Sequence, residues 1–225
     1  MLGYIKKSLK ESQKMRQLYI HGKPIYILQS FTNKISITDV IQKIERFVPK
    51  LLMNDIDGLY VANIDEFQRK NRSFNAMYKD RAIYISPDQD NEIDLLDDVV
   101  HEIAHSLEER YEDLIYDDGQ LQNEFLAKRK SLYYLIDKPT ADMSLYMNPD
   151  YNIKFDDHLY SDLNYDYLRT VSSGLFYSPY AITSLKEYWA NGFENYLLGD
   201  RNRLKDLSPV LHEKINELIA LKEEY

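Results

Sequence analysis

The chain has 225 residues, no cysteine and a formal net charge of −9. The lack of cysteine excludes disulfide bonds, thiolate metal sites and cysteine nucleophiles, and the acidic balance argues against binding to nucleic acid or anionic membranes. No stretch reaches the roughly 18 apolar residues that a membrane span needs, and Met1–Leu18 lacks the apolar core of a signal peptide. We therefore expect a cytoplasmic or intracellular protein. Secretion by another route and the oligomeric state are left open.

A hairpin and a short helix are predicted near the start of the chain. Apolar and polar residues alternate in Gln17–Leu28 around Gly22-Lys23-Pro24, which predicts a β-hairpin. Thr38 or Asp39 is the expected cap of a helix that ends before Pro49. One side of this helix is apolar and carries Val40, Ile41, Ile44 and Phe47.

Two further segments predict β-strands. The first is Leu59–Ala62 and the second is Ala82–Ser86, which follows a turn predicted at Lys79-Asp80. Pro87 is expected to end the second strand, because proline has no backbone N–H to donate to a sheet. Residues 1–90 are therefore predicted to be mainly strands plus one helix.

The strongest helical pattern runs from about Glu92 to about Leu114. Its apolar residues recur at spacings of three and four, namely at Ile93, Leu96, Val100, Ile103 and Leu107. Residues 116–177, which follow, mix short helical patterns with Asp-, Asn- and Tyr-rich segments and predict no clear element.

Two more helices are predicted in residues 178–225. One covers Leu185–Leu198, with Ser184 as its N-cap and Gly199 as its C-terminal stop. The other opens at Ser208-Pro209 and carries Leu211, Ile215, Leu218 and Ile219 on its apolar side. Strands that precede helices along the chain predict an α+β fold, here as a single domain over 1–225.

The residues with the clearest chemistry are His101-Glu-Ile-Ala-His105, within the helix predicted over 91–115. Two histidines four residues apart lie on one helix face and reach the same cation. Glu102 reaches a water molecule on that cation and accepts its proton. Because Ile103 and Leu107 face a core, the histidines lie on another side. This pattern predicts a Zn²⁺ site.

A catalytic zinc ion takes three protein ligands and leaves one position for water. The candidates for the third ligand are Glu187, His158, His212, Glu108 and Glu109. Glu108 and Glu109 share the helix with the two histidines and point poorly at the metal. Glu187 belongs to a polar stripe with Asn191 and Glu194, yet Ser184-x-x-Glu187 is also a capping box. Spacing alone leaves ligand and cap open.

The motif His101-Glu-Ile-Ala-His105, followed by Glu187-Tyr-Trp-Ala190 and Phe193, resembles the gluzincin metallopeptidases. More narrowly, it resembles the group of the anthrax lethal factor catalytic domain and the Pro-Pro endopeptidases. The resemblance covers roughly Leu51 to Leu198. It implies a zincin-like domain in which a small mixed sheet packs on the zinc helix, with a largely helical C-terminal part. It also implies Glu187 as the third ligand and Tyr180, seven residues earlier, as a catalytic tyrosine.

Two features depart from that group. Glu187 follows His105 by 82 positions, a longer separation than the group has, which implies an insertion within 116–177. Asn191 stands where relatives have an acidic residue, and its amide is expected to accept a hydrogen bond from a ligand imidazole without adding charge. Arg81–Ser86 resembles the strand that precedes the zinc helix in these enzymes.

The expected function is that of a zinc-dependent metalloendopeptidase with a peptide or protein substrate. Glu102 is the expected general base and Tyr180 the expected donor to the oxyanion. An extended peptide is expected to pair with Ile83–Ser86. The alternatives are a zincin-fold binding or structural module without proteolytic activity, and a metallohydrolase with another substrate.

Two other patterns carry no function. Lys128-Arg-Lys130 and Arg201-Asn-Arg203 are short basic clusters among acids, so they are predicted to be solvated faces that bind no nucleic acid. Asp117-Asp118 and Asp156-Asp157 match no ordered calcium loop and are predicted to be loop or capping residues.

Overall fold

The computed structural model of the chain describes residues 18–64, 67–69, 72–137 and 141–223. In these ranges the fold is α+β with a small mixed five-stranded sheet, which confirms the predicted class. They form two compact units whose boundary lies between Ser106 and Leu107. No helix in the same ranges combines the length and apolar character of a membrane span. Met1–Gln17, on which the signal-peptide prediction rests, lies outside the described residues.

The first unit contains the sheet, whose strand order is β1-β2-β3-β7-β6. β2, β3 and β7 are parallel, whereas β1 and β6 pair antiparallel at the two edges. A separate antiparallel pair consists of β4 and β5. The strands are β1 (Leu18–Ile20), β2 (Lys23–Ile27), β3 (Gly58–Val61), β4 (Gln68–Arg69), β5 (Arg72–Ser73), β6 (Ala76–Lys79) and β7 (Ala82–Ile85).

The predicted N-terminal hairpin is confirmed by the pairing of β1 with β2. Its turn lies at His21-Gly22, one residue before the predicted position. Both residues have positive φ, 50° and 83°, as the turn type that matches the twist of a hairpin requires. Pro24 therefore lies within β2 and not in the turn.

The strand predicted over Ala82–Ser86 is confirmed as β7, but it does not lie at an edge. β7 pairs with β3 on one side and with β6 on the other, so the peptide pairing predicted for Ile83–Ser86 is wrong: both sides of β7 are already occupied. The edge strand β6 was not predicted. It joins β7 through a turn at Asp80-Arg81, two non-glycine residues with φ of 50° and 63°.

Helix α1 (Ile37–Phe47) has its buried side formed by Val40, Ile41 and Ile44, as predicted. Ser36 occupies the N-cap position, so the predicted cap at Thr38 or Asp39 is wrong. The Glu92 carboxylate accepts the Ser36 backbone N–H at 2.8 Å and fixes the helix start there. Phe47, also predicted to be on the apolar side, is 41% exposed.

Helix α2 (Glu92–Glu108) is shorter than predicted. The Asn91 side chain caps it by accepting the backbone N–H groups of Ile93 and Asp94, and Ile93 is exposed, not buried. After Glu108 the chain turns and forms α3 (Glu112–Ile115). This turn brings the Leu114 carbonyl to 2.8 Å from Lys214 Nζ.

A 3-10 turn at Lys50–Met53 completes the helices of the first unit. The remaining helices belong to the second unit, and they include most of 116–177, where the sequence predicted no clear element. The predicted helices over Leu185–Leu198 and from Ser208-Pro209 are confirmed. The helices are α4 (Gln120–Leu135), α5 (Met143–Tyr146), α6 (Ile153–Asp157), a π-helical segment (His158–Leu163), α7 (Tyr165–Val171), a 3-10 turn (Tyr180–Ile182), α8 (Leu185–Leu198), α9 (Arg201–Leu207) and α10 (Pro209–Glu223).

Glu124 on α4 connects three helices of the second unit. Its carboxylate accepts the Tyr188 hydroxyl of α8 at 2.8 Å. It also accepts the backbone N–H groups of Val210 and Leu211 at 2.9 and 3.2 Å, and so satisfies two of the N–H groups that the first turn of α10 leaves unpaired.

The basic cluster at 128–130 is not a solvated face, which corrects the prediction. Lys128 and Arg129 are 8% and 0% exposed, and of the three only Lys130 is exposed. Lys128 Nζ donates to the Leu175 and Leu207 carbonyls and to Ser208 Oγ. These acceptors take the place of water around the charged group. Lys128 can therefore be buried although the sequence pattern predicts a solvated side chain.

The acidic pairs have different surroundings. Asp118 accepts the Gln120 backbone N–H at 2.9 Å at the start of α4, which confirms a capping role. Asp156 lies inside α6, is 4% exposed, and accepts the Tyr151 hydroxyl at 2.9 Å. The loop or cap predicted for Asp156 is therefore wrong.

The close packing of α8 against α10 gives a first prediction. A β-carbon at Gly192 would lie 2.6 Å from Leu211 Cγ. We expect Gly192→Ala to lower the free energy of unfolding by about 1–3 kcal/mol, as overpacked core substitutions do. Gly174→Ala is the matched control, because its β-carbon would meet no atom within 4 Å. Urea unfolding measures both, and equal stability of the two variants would contradict the prediction.

The burial of Lys128 gives a second prediction. Desolvation lowers the pKa of its ammonium group from 10.5 to about 8. The unfolded chain therefore binds more protons than the folded protein above pH 8. The free energy of unfolding should rise by roughly 1–2 kcal/mol between about pH 7.5 and 9.5.

We expect Lys128→Met to remove this rise, measured by urea unfolding across the pH range, although the variant is less stable overall. Lys130→Met, at an exposed position on the same helix, should keep the rise. The same slope in both variants would refute the assignment to Lys128.

Candidate metal centre

Helix α2 presents His101 and His105 on a different side from its apolar face. Val99, Val100 and Ile103 are at most 1% exposed, whereas both imidazoles are half-buried. The ring centroids lie 5.0 Å apart, with an interplanar angle of 73°. One helical turn therefore brings the two rings together, as the spacing predicts.

Glu102 lies between the two histidines in sequence and is 9% exposed. Its Oε2 accepts the backbone N–H of Tyr78 at 2.6 Å. Tyr78 belongs to β6, the edge strand that the sequence did not predict. A hydrogen bond from an N–H to an ionised carboxylate is stronger than one between neutral groups, so this contact fixes the carboxylate relative to the sheet.

Glu187 lies in the first turn of α8, and its backbone N–H takes part in the N-cap. The Ser184 hydroxyl oxygen accepts the Glu187 backbone N–H at 3.2 Å, which confirms Ser184 as the N-cap. The cap uses the main chain of Glu187. The carboxylate is half-buried, and the capping interaction does not decide its role.

Tyr180 begins the 3-10 turn that leads into α8. The Tyr180 carbonyl accepts both the backbone N–H of Thr183, at 3.0 Å, and its hydroxyl, at 2.8 Å. Asn191, one turn after Glu187, is 7% exposed, and its Nδ2 lies 3.5 Å from Glu194 Oε2. The roles predicted for Tyr180 and for the Asn191 amide stay predictions.

His101, His105 and Glu187 form a group that could hold a metal ion. One ligand atom from each, a ring nitrogen or a carboxylate oxygen, lies within 4.8 Å of the other two. A tetrahedral ion with bonds of about 2.0–2.2 Å needs its ligand atoms roughly 3.3–3.5 Å apart. Two imidazoles and one carboxylate are a donor set that zinc accepts.

Among the described residues, none of the other four candidates for the third ligand belongs to a group that could hold a metal ion. His158 is buried, with its ring nitrogens 3.1 Å from the Tyr146 hydroxyl and 2.9 Å from Asp162. The His212 ring lies 5.3 Å from that of Tyr196. The rival glutamates are Glu108, which is buried and pairs with Lys186 at 3.2 Å, and Glu109, which is exposed.

Tyr116 is a neighbour of Glu187 that the sequence did not predict. Burial raises the pKa of its hydroxyl well above the usual value, and the negative charges of Glu108 and Glu187 raise it further. The phenol is therefore neutral at physiological pH. No spacing signal could identify it, because it precedes Glu187 by 71 positions.

No known protein family, curated protein or solved structure matches this chain. The resemblance to gluzincins thus rests on the motif residues themselves. The geometry of the three-residue group is independent of that resemblance.

Two alanine variants separate metal binding from helix capping. We expect Glu187→Ala to weaken zinc binding at least about 100-fold, since even the hydrogen-bond partners of metal ligands contribute 10- to 100-fold. Ser184→Ala should keep the zinc affinity and lower stability by about 1 kcal/mol, the usual contribution of an N-cap. Competition with a chromophoric chelator and thermal unfolding measure the two effects. Normal zinc affinity in Glu187→Ala would exclude the carboxylate as a metal ligand and leave Glu187 only its main-chain role in the cap.

Proposed function

We propose that the chain is a zinc-dependent metalloendopeptidase with a zincin-like fold. The observation that carries the proposal is the group of His101, His105 and Glu187, next to a glutamate at the position of a general base. Three ligands of this kind leave one coordination position for water, which is the composition of catalytic rather than structural zinc sites.

A bound zinc ion supplies two effects at such a site: it lowers the pKa of a water molecule and polarises a carbonyl group. Glu102 takes the proton of the attacking water and passes it to the leaving amine. The hydrogen bond from Tyr78 holds the carboxylate on the sheet side of α2. His101 and His105 serve as ligands, each through one ring nitrogen.

Tyr180 is assigned to the oxygen of the scissile carbonyl. Its phenol donates a hydrogen bond that strengthens as negative charge develops on that oxygen. The support is its place in the 3-10 turn shortly before α8, where Tyr180 is half-buried and its carbonyl accepts the Thr183 hydroxyl. A tyrosine there serves transition-state stabilisation and not metal binding.

The peptide substrate is assigned to β6 instead of β7. β6 is the edge strand of the sheet on the side that contacts Glu102. An extended peptide adds to a sheet edge through main-chain hydrogen bonds. Backbone binding of this kind selects for peptides over other hydrolysable substrates, which favours an endopeptidase over another metallohydrolase.

Substitution of the proposed base gives the central test. We expect Glu102→Gln to bind zinc with wild-type affinity and to lose peptide cleavage, because an amide does not accept the water proton. Tyr180→Phe should also keep zinc and lower kcat by a factor on the order of 10²–10³. A fluorogenic peptide library, together with metal analysis, measures both variants.

Glu217→Gln is the matched control, since Glu217 is an exposed glutamate on α10, and its activity should equal that of the wild type. Wild-type cleavage rates in Glu102→Gln would remove the assigned base. If the zinc-loaded wild-type protein cleaved no peptide of the library, the chain would be a binding or structural module and not a peptidase.

A further inference from the structure

Backbone N–H groups of β6 point alternately toward and away from β7. Ser86 N–H donates to the Asn75 carbonyl at 2.7 Å, and the register continues with Tyr78 opposite Ile83. Hydrogen-bonded pairs alternate along an antiparallel ladder. Asn75–Ser86 is such a pair, so the backbone N–H groups of Ala76 and Tyr78 point away from β7.

The N–H of Tyr78 meets Glu102. The 2.6 Å distance to Oε2 is at the short end for an N–H donor. A carboxylate that is 9% exposed needs such donors, because burial removes the water that would otherwise solvate its charge. The contact joins the edge strand to the residue that directly follows His101.

We infer that the backbone N–H of Tyr78 is a positioning group for the reaction. It holds the Glu102 carboxylate in the orientation that accepts the proton of the attacking water. This inference rests on the proposed function. The last side-chain torsion of glutamate has a broad distribution, so a fixed donor is needed to select one orientation of the two oxygens.

A main-chain donor of this kind has a specific consequence. Alanine scanning does not detect it, because every residue except proline keeps the N–H. The side chain at 78 is then free to vary without loss of the contact. Misplacement of a reacting group by about 1 Å costs roughly 100-fold in rate, so the contribution of this single N–H is large enough to measure.

Replacement of Tyr78 by its α-hydroxy acid analogue converts the backbone N–H into an ester oxygen and keeps the phenol. In the zinc-loaded full-length protein, we expect kcat to fall roughly 10- to 100-fold, with KM and zinc affinity within about twofold of the wild type. The same ester at Ala76 is the matched control, because that N–H also points away from β7. Because the peptide substrate is assigned to this same strand edge, the Ala76 ester should raise KM and leave kcat near the wild-type value.

A wild-type kcat in the Tyr78 ester, or an equal loss in both esters, would overturn the inference. Tyr78→Pro removes the same N–H by ordinary mutagenesis, since proline is tolerated where the N–H of an edge strand faces away from the sheet. It should reproduce the split between kcat and KM.

Amide hydrogen exchange tests the contact without catalysis. In Glu102→Ala the Tyr78 amide should exchange about tenfold faster than in the wild type, as expected for the loss of one hydrogen bond, while the Ala76 amide stays unchanged. Unchanged exchange at Tyr78 would refute the inference alone. Failure of the zinc-loaded wild-type protein to cleave any peptide would instead refute the proposed function.

Discussion

The apolar stripe of α2 is the constraint on which the candidate metal centre depends. Burial of Val99, Val100 and Ile103 fixes the rotation of the helix about its axis, with roughly 1.5–3 kcal/mol from each large side chain. Once that rotation is fixed, the 3.6-residue period leaves His101 and His105 no route into the core. Hydrophobic packing, and not the histidines themselves, thus sets the direction in which the two rings point.

A similar constraint acts on Glu187 from within the second unit. Helix α8 is buried on most sides, with Trp189 and Phe193 both 0% exposed, and Gly192 lets Leu211 approach its backbone. A helix packed in this way has little freedom to rotate. Ser184 fixes where it begins. Cap and candidate ligand are therefore compatible in one residue, because they use different atoms of Glu187.

The sequence predicts those parts of the structure that depend on local patterns. The periodicity of α8, its cap at Ser184 and the opening of α10 all follow from residues within one or two turns of each other. The helical spacing of His101 and His105 belongs to the same class. These features need no knowledge of distant contacts, which is why a single sequence suffices for them.

Distant contacts decide what the sequence does not predict. Lys128 is buried because carbonyl groups of Leu175 and Leu207, 47 and 79 residues away, replace its water. The edge strand β6 ends at a turn of two non-glycine residues with positive φ, Asp80 and Arg81, one residue after the turn predicted at Lys79-Asp80. The prediction that Ile83–Ser86 lies at the sheet edge was wrong because the neighbours of a strand depend on how the whole sheet assembles. The residues of the strand itself do not specify them.

Main-chain hydrogen bonds hold the proposed base Glu102 and the start of α8 in place. The Tyr78 N–H holds Glu102, and the Glu187 N–H completes the cap at Ser184. The N–H of Leu185, the first residue of α8, donates to the Pro149 carbonyl at 2.8 Å. Main-chain groups are present whatever the side chain, so they leave no trace in a motif. The motif specifies which side chains carry the proposed chemistry, whereas main-chain contacts specify where those side chains are held. The proposed chemistry can therefore be tested at the backbone as directly as at the histidines.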